Sequence, residues 1–406
     1  MADTVADRPA RRWLLVAVAA GVMGASGTYQ FVWTTLSGAV GARVGASPAA
    51  LGTVFTLFVV AQTLVQFPAG GIRDRYGPRA VLGIGSVLLF AGYGGLGLAT
   101  TYPVAALAYG LGGVGSGMAY TVAINTPVKW FTDRRGLATG VVTTAFSAVS
   151  VVVIPLVQAR IDASYTGTLL ALGAVVGGLG LLATIVVRDP PKRDEATEAG
   201  TASDRAVDVD ASVGWRRVVG TWQFWVLYWV MLVVDGVGLM LIGQSVGFTT
   251  GLGLAPGTAT TVASVVALAD AMGVIVMSTL SDRLGGERTV GVSLVLGGCS
   301  LGAAIVSGLS GLGPLFVVLV AGTAFFRSPV FAIFPSLVGK YYGRARSSEN
   351  YALVYSAKIP GGIIGGTVTG ILVARVGWAE SFALGAGLLV LAGLSALVLR
   401  PTSVTS

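Results

Sequence analysis

The sequence predicts an all-α membrane protein whose twelve transmembrane helices form two pseudo-symmetric six-helix bundles. Hydrophobic residues make up 54% of the 406 residues and charged residues only 11%, whereas soluble domains carry about 25% charged residues. So few charges do not cover a globular surface of this size in water. Lipid must therefore be the solvent for most of the chain, and long charge-free runs and an internal repeat indicate how it crosses the bilayer.

Charge-free runs mark the individual helices. No Asp, Glu, Lys or Arg occurs between Arg12 and Arg43, or between Arg79 and Lys129. Because a transmembrane helix needs about 20 mostly apolar residues, the second run is long enough for two helices joined by a short turn. Such runs predict spans 1 to 6 at 13–38, 50–71, 80–100, 104–128, 136–158 and 165–187. Spans 7 to 12 follow at 221–246, 257–280, 289–308, 312–338, 351–374 and 378–399.

The first apolar run is interpreted as span 1 and not as a cleavable signal peptide. It continues beyond a typical hydrophobic region and carries aromatic residues where small ones would be expected. The single cysteine, Cys299, allows no disulfide within one chain. The chain has no histidine, which removes the side chain most often found in metal sites. We therefore predict neither a metal nor a cofactor.

The basic residues predict the orientation in the cell membrane. If both termini lie in the cytoplasm, only Arg43, Arg160 and Arg375 of the 26 Lys and Arg fall on outer loops, and two more lie within spans. The remainder occupy cytoplasmic segments, as the positive-inside rule requires. This distribution also explains the net charge of +8 without a nucleic-acid partner.

A polar segment separates spans 6 and 7. Residues 188–220 are rich in Asp, Glu, Ser and Thr and poor in large apolar side chains, a composition that does not support independent folding. We predict a flexible cytoplasmic linker at 188–220, between one six-helix bundle at 1–187 and a second at 221–406.

The two predicted bundles resemble each other in sequence. Asp74-Arg75-Tyr-Gly lies between spans 2 and 3, and Asp282-Arg283-Leu-Gly lies between spans 8 and 9. A Lys-aromatic-aromatic triplet follows span 4 at Lys129 and follows span 10 at Lys340, and the two pairs of motifs are separated by nearly the same number of residues. Parallel repeats of this kind are typical of transporters.

The loop between spans 2 and 3 carries the residues of a family signature. Gly-x-x-x-Asp-Arg-x-Gly-x-Arg is matched by Gly70, Asp74, Arg75, Gly77 and Arg79, and the chain thereby resembles the major facilitator superfamily. In the second copy, Ser278 replaces the leading glycine. The resemblance implies alternating access and gating loops that lock the cytoplasmic helix ends, with the residues Asp74, Arg75, Arg79, Asp282 and Arg283.

A narrower resemblance rests on the stretches 129–140, 221–244 and 350–362. These are similar to the oxalate/formate antiporter family and its monocarboxylate-transporter relatives. The resemblance implies a carrier of small carboxylates in which Lys358, on span 11, binds the anion. The chain departs from that family at Val274, where an arginine is usual, and at Arg327, where an aromatic residue is typical.

Four ionisable residues interrupt the spans, namely Asp235, Asp270, Arg327 and Lys358. Each would cost roughly 2.5–3.5 kcal/mol in the middle of a helix, so four unpaired ones approach a whole stability margin of about 5–15 kcal/mol. A rise of about 1.5 Å per residue places all four near the middle of the bilayer. They must face a wet cavity, pair with one another, or both.

These charges support a hypothesis about the substrate site. Arg327 and Lys358 bind a carboxylate, and either Asp235 or Asp270 is their counter-charge when the site is empty. Protonation of that aspartate would free a cation and link proton movement to substrate movement. The alternative is that the four residues form two salt bridges that only stabilise the second bundle.

The first bundle offers aromatic and polar side chains. Tyr29, Trp33, Gln62 and Tyr120 are predicted to contact the substrate, because aromatic rings with a hydroxyl or an indole N–H can close a cavity around a small solute. For each of them, helix packing is an equally good interpretation. In span 11, paired glycines beside Pro360 also indicate close helix contacts and a bend.

The predicted function is secondary active transport of a small organic anion, a monocarboxylate or a small dicarboxylate, coupled to a proton or to an exchanged anion. The chain is expected to act as a monomer, and symport and antiport both stay open. The alternative is proton-driven export of a cationic or amphipathic compound with Asp235 and Asp270 as its binding acids. A membrane sensor would need a folded soluble domain, and an enzyme would need a nucleophile–base pair, a metal set or a phosphate loop; the sequence offers none of these.

Overall fold

The computed structural model describes residues 9–131, 135–188, 215–342 and 347–400, and these residues form helices without a β-strand. Within them, twelve helical spans are long and apolar enough to cross a membrane, which confirms the predicted number. For residues 9–11, 74, 128, 135–137, 278, 282 and 347–349 the description is limited to the backbone.

The observed helices fall close to the predicted spans. Span 1 consists of Pro9–Phe31 and Trp33–Val44, and spans 2 to 6 are Pro48–Tyr76, Pro78–Leu98, Tyr102–Trp130, Arg135–Ile161 and Tyr165–Val186. A short helix, Trp215–Val219, precedes span 7 at Trp222–Gly251, and spans 8 and 9 are Pro256–Leu284 and Gly286–Leu309. Span 10 consists of Gly313–Arg327 and Val330–Tyr342. Span 11 consists of Ser347–Tyr355, Lys358–Ile363, a π-helical turn at Ile364–Val368 and Thr369–Val376, and span 12 is Trp378–Leu397.

Two glycines make equivalent turns in the two halves of the chain. Gly77 (φ 84°) ends span 2 and leads directly into span 3, and Gly285 (φ 86°) does the same between spans 8 and 9. Residues with a side chain rarely adopt such positive φ values, so glycine is the residue that permits each tight turn. The turns lie in the two copies of the loop signature, and they give the sequence repeat a structural counterpart.

Prolines explain why spans 10 and 11 are broken near their charged residues. Pro360 has no N–H to bond the carbonyl of Ser356, and that carbonyl instead accepts from the N–H of Ile359 at 3.0 Å in a tighter turn. The predicted bend of span 11 is therefore present, directly before Lys358. In span 10, a helical segment ends at Arg327, two residues before Pro329, because a proline removes a backbone hydrogen bond there as well.

The spans before residue 188 pack mainly against one another, and so do those after residue 215. Contacts between these two groups join span 1 to span 7, span 2 to span 11 and span 5 to span 8. We call the end of the bundle that holds Gly77, Gly285 and Arg188 the linker end, and the opposite end the far end. Some of the side chains through which span 1 contacts span 7, and span 2 contacts span 11, lie towards the far end.

Glycine allows spans 2 and 11 to approach closely near the far end. The hydroxyl of Thr56 lies 3.1 Å from the carbonyl oxygen of Gly362 and also accepts from the backbone N–H of Thr367 at 3.0 Å. A methyl group on Gly366 would overlap the Thr56 hydroxyl and the carbonyl of Gly52. The close helix contacts predicted from the glycine spacing are thus present.

Replacing Gly366 by Ala should lower the free energy of unfolding by about 1–3 kcal/mol, because overpacked interfaces cost that much. The midpoint of thermal unfolding in detergent, followed by tryptophan fluorescence, measures the effect. Gly178→Ala in span 6 is the matched control, since no heavy atom outside the local helix backbone lies within 4 Å of its added methyl group. Equal midpoints for the two variants would contradict the close packing.

At the linker end, span 6 is capped by side chains of the other spans. Arg79 donates from Nη2 to the carbonyl of Ile185 at 3.1 Å and from Nε to that of Val187 at 3.3 Å. The indole N–H of Trp130 donates to the carbonyl of Arg188 at 2.7 Å. Cations stabilise helix C-termini, so Arg79 has the capping contact that the family resemblance implies.

The other predicted loop residues are less informative. Arg75 and Arg283 are exposed, and the side chains of Asp74 and Asp282 lie outside the described residues. The predicted linker, 188–220, is described only at its two ends, since residues 189–214 lie outside the described residues.

Candidate functional site

The structure pairs two of the four charged residues directly. Arg327 on span 10 donates from Nη2 to Oδ1 of Asp270 on span 8, and the arginine side chain is 3% exposed. The hydroxyl of Ser328 lies 2.7 Å from the same carboxylate oxygen. Asp270 is therefore the contact partner of Arg327, which answers which aspartate pairs with this cation.

The local sequence accounts for the position of Arg327. The residue ends a helical segment at the break caused by Pro329. Its guanidinium lies against span 7 at Gly238, where even a methyl group would overlap Nη1 and the guanidinium carbon. Its Nε is buried and has no hydrogen-bond partner in the described part of the chain. The pairing with Asp270 thus leaves part of this cation unsatisfied.

Lys358 lies between the two halves of the molecule. Its ammonium group is 3.3 Å from Oε1 of Gln62 on span 2 and 3.4 Å from the hydroxyl of Tyr355, one turn earlier on span 11. Lys358 is buried, with 6% of its surface exposed. Among the described residues, no carboxylate oxygen lies within 4.0 Å of its Nζ. This ammonium is therefore a buried cation whose hydrogen-bond partners among the described residues are all neutral.

A chain of hydrogen bonds determines which atom Gln62 presents to Lys358. Ser116 on span 4 uses its single hydroxyl hydrogen to bond the carbonyl of Ser26 at 3.1 Å. Its oxygen must then accept from Gln62, and Nε2 of Gln62 lies 2.9 Å away. The amide oxygen consequently faces Lys358, since the opposite orientation would place two donors against each other.

Asp235 lies close to both cations without contacting either. It is 3% exposed, interacts electrostatically with Lys358 and Arg327, and its Oδ2 has no hydrogen-bond partner among the described residues. Gly361 on span 11 packs against its Cβ, and a methyl group there would come within 2.8 Å of that atom. The contact of spans 7 and 11 thus buries Asp235 where its charge interacts with both cations.

Two tyrosines complete the surroundings of Lys358. The side chain of Tyr120 on span 4 interacts with that of Tyr355, and the ring centroid of Tyr355 is 5.7 Å from Nζ of Lys358. Tyr120 was predicted from the sequence, whereas Tyr355 was missed. Its spacing of three residues before Lys358 could have identified it, because such residues share a helix face.

The structure places Tyr29 and Trp33 away from this cluster. Tyr29 is fully buried in the first half, its hydroxyl donates to the carbonyl of Leu89 at 2.5 Å, and its ring stacks on that of Tyr93 at 3.9 Å. Trp33 is 1% exposed and packs against Tyr109 and Phe55. The hydroxyl of Tyr29 is thus already bonded to a protein atom and Trp33 is buried among aromatic rings, as the packing interpretation predicts.

The cluster therefore consists of Gln62, Tyr120, Asp235, Asp270, Arg327, Tyr355 and Lys358. It joins spans 2, 4, 7, 8, 10 and 11 and holds two positive and two negative side chains. Only one of the two salt bridges considered from the sequence is a contact pair in the structure. Such a cluster can accept a negatively charged group at Lys358, and the described residues include no group of three His, Cys, Asp or Glu side chains that could hold a metal ion.

Comparison with known proteins gives matches over the whole chain. A family model described as the Major Facilitator Superfamily matches residues 14–248 and, separately, 235–406. The oxalate:formate antiporter of Oxalobacter formigenes is 30% identical over 91% of this chain and 87% of that protein. A protein described as a probable sulfoacetate transporter of Cupriavidus necator is 25% identical over 88% of this chain and 87% of that protein.

Solved structures show the same fold. The D-xylose–proton symporter superimposes with a TM-score of 0.76 at 18% identity, covering 96% of this chain and 98% of that chain. An inward-open structure of the xylose transporter of E. coli gives a TM-score of 0.74 at 14% identity, with 96% of each chain covered. At these identities the likeness concerns the fold alone.

Proposed function

The chain belongs to the Major Facilitator Superfamily, and from that premise we propose that it carries a small organic anion across the cell membrane by alternating access. The proposed substrate is a monocarboxylate or a small dicarboxylate, and Lys358 is its main contact. The observation that carries the proposal is the buried ammonium of Lys358, which has no contacting carboxylate among the described residues. Because a buried charge is costly unless it is paired, such a group favours an anionic ligand.

The names of two relatives agree with an anionic substrate. One transports oxalate and formate, and the other is described as a probable carrier of sulfoacetate. All three molecules are small organic anions. This agreement supports the substrate class and leaves the particular anion to experiment.

The remaining charges define the roles that we assign within the site. Asp270, whose Oδ1 also lies next to the Ser328 hydroxyl, holds Arg327 in place, so that Arg327 contributes positive potential more than a free binding surface. Asp235 is the counter-charge that both cations share when the site is empty. A bound carboxylate would then face Lys358.

Alternating access requires the two halves of the chain to separate at one end while they close at the other. The hydrogen bonds of Thr34 with Ser245 and Val246, at 3.2 and 2.9 Å, and of Thr367 with Thr53, at 3.2 Å, join the halves towards the far end. Lys358 and Gln62 join them near the middle. With both termini and the linker in the cytoplasm, as the basic residues predict, the far end would face the outside and be the closed end here.

Asp235 is the residue that we assign to coupling. When its carboxylate is charged, it competes with a substrate anion for the potential of Lys358 and Arg327. When it takes up a proton, that competition ends. Uptake of a monoanion should therefore be faster when the proton concentration on the substrate side is higher, unless an exchanged anion supplies the compensating charge.

One observation favours the alternative of a cationic substrate, namely the buried Oδ2 of Asp235 that lacks a hydrogen-bond partner among the described residues. A cation bound there would also lie close to Lys358 and Arg327, which interact with the same carboxylate. Because like charges repel strongly in a medium of low dielectric constant, the site favours an anion.

The proposal is tested by uptake of labelled formate, acetate, lactate, pyruvate and oxalate into proteoliposomes that contain the purified protein, at two pH values. We expect saturable uptake of at least one of these anions, stimulated either by an inward proton gradient or by an internal load of the same anion. Protein-free liposomes provide the control. Failure of every anion, together with uptake of a lipophilic cation, would reject the anion site and support the alternative.

A further inference from the structure

Around Lys358, some hydrogen-bond donors and acceptors have no partner among the described residues. An ammonium has three N–H donors. In the described part of the chain two of them face Gln62 Oε1 and the Tyr355 hydroxyl, which leaves one donor. The hydroxyl of Tyr355 accepts from Lys358, and none of the hydrogen bonds among the described residues uses its own hydrogen, which is therefore available. Lys358 and Tyr355 together offer two donors to one carboxylate.

Gln62 offers a hydrogen-bond acceptor instead of a donor. Its orientation is fixed by Ser116 and Ser26, so the group beside Lys358 is a carbonyl oxygen. An amide oxygen has two lone pairs, and among the described residues only Lys358 bonds to this one. An acceptor in this position repels a carboxylate oxygen and attracts a hydroxyl group.

The donors of Lys358 and Tyr355 therefore lie beside the amide oxygen of Gln62, which can accept one more hydrogen bond. The acceptor and the ammonium are 3.3 Å apart. A carboxylate oxygen and a hydroxyl oxygen on adjacent carbons span a similar distance, so one molecule can bond both groups. From this geometry we propose that the site selects small carboxylates that carry a hydroxyl group on the carbon next to the carboxylate. This inference rests on the proposed anion site and narrows its substrate class.

In the selected complex, the carboxylate would accept from Lys358 and Tyr355, while the substrate hydroxyl donates to Gln62. A plain carboxylate of the same size would leave the Gln62 oxygen facing an apolar carbon or a displaced water. Since Gln62 lies on span 2 and Lys358 on span 11, the hydroxy acid would bond to both halves of the carrier, whereas a plain acid would bond only to Lys358 and Tyr355 in the second half.

Equilibrium binding to the purified full-length protein in lipid nanodiscs, measured by titration calorimetry, tests this selection. The probes are glycolate and acetate, which differ by the hydroxyl alone, and methoxyacetate, which keeps the oxygen but has no hydrogen to donate. We expect glycolate to bind about fivefold more tightly than acetate, the effect of one net hydrogen bond, and methoxyacetate to bind no better than acetate. Equal affinities for glycolate and acetate, or tight binding of methoxyacetate, would overturn the inference even if no variant folds.

Gln62→Met, which keeps the length of the side chain and removes its oxygen, should lower the glycolate-to-acetate ratio to about one while acetate still binds. A ratio that stays near fivefold in this variant would reject the role of Gln62. If no carboxylate binds to the wild type, or if binding survives in Lys358→Gln, the anion site itself fails; if carboxylates bind through Lys358 without a hydroxyl preference, only the selection fails.

Discussion

Replacing Lys358 by Gln should abolish saturable uptake of a small carboxylate, with kcat/KM falling by at least about 30-fold. The reason is that truncating one partner of a buried charge pair costs about 2–5 kcal/mol, and 1.4 kcal/mol corresponds to a factor of ten. In the empty carrier the substitution should remove little interaction energy, because Lys358 hydrogen-bonds only neutral groups. In the loaded carrier the substrate charge would lose its nearest cation.

Uptake of the labelled anion into proteoliposomes measures this loss, and Lys340→Gln is the matched control. Lys340 is 53% exposed and pairs with Glu287 at 2.8 Å, outside the central cluster. We expect the control variant to retain most of the wild-type rate. Lys358→Arg should recover part of the uptake, since it restores the charge. Wild-type uptake in a Lys358→Gln protein that is correctly inserted would show that another group binds the substrate.

Asp270→Asn should destabilise the protein by about 3–5 kcal/mol, because it leaves Arg327 as a buried charge without its contact partner. Arg327→Gln should have a similar effect for the opposite reason, since Asp270 would then be the uncompensated charge. The double variant should be markedly more stable than the sum of the two single effects predicts. This coupling is the signature of a pair whose two charges compensate each other.

Thermal unfolding of the four proteins in the same detergent provides the double-mutant cycle. Asp162→Asn is the control, because Asp162 is exposed and surface substitutions usually change the stability by less than about 0.5 kcal/mol. Additive effects of the two single substitutions would mean that Arg327 and Asp270 act independently. In that case Arg327 would be free to serve as a direct ligand of the substrate, and the roles proposed for the two cations would have to be exchanged.

Comparison of sequence and structure shows which features of the site were predictable. The four charges in the spans were recognised at once, because ionisable residues are rare in apolar helices and demand compensation. Gln62 and Tyr120 were also predicted, and they do lie beside Lys358. Their role in binding stays a prediction, as does that of the gating loops.

Tyr29 shows why the rest of the site was harder to predict. Tyr29 and Tyr120 have the same chemistry, yet one stacks on Tyr93 inside the first half and the other contacts Tyr355 beside the cation. In a span that is buried nearly all round, apolar periodicity does not show which face is directed at the central path. That face depends on the rotation of the helix, and the rotation depends on packing against its neighbours.

The sequence by itself determined the twelve spans, because every backbone polar group in lipid must bond within its own helix and so the length and composition of each apolar run decide whether it crosses. It also determined that two cations and two carboxylates share the membrane interior. Only the tertiary structure decided that Asp270 contacts Arg327 and that Lys358 bonds Gln62. These pairings join residues far apart in the chain, and the glycines and proline breaks that set the depth and rotation of spans 7, 10 and 11 bring them into contact.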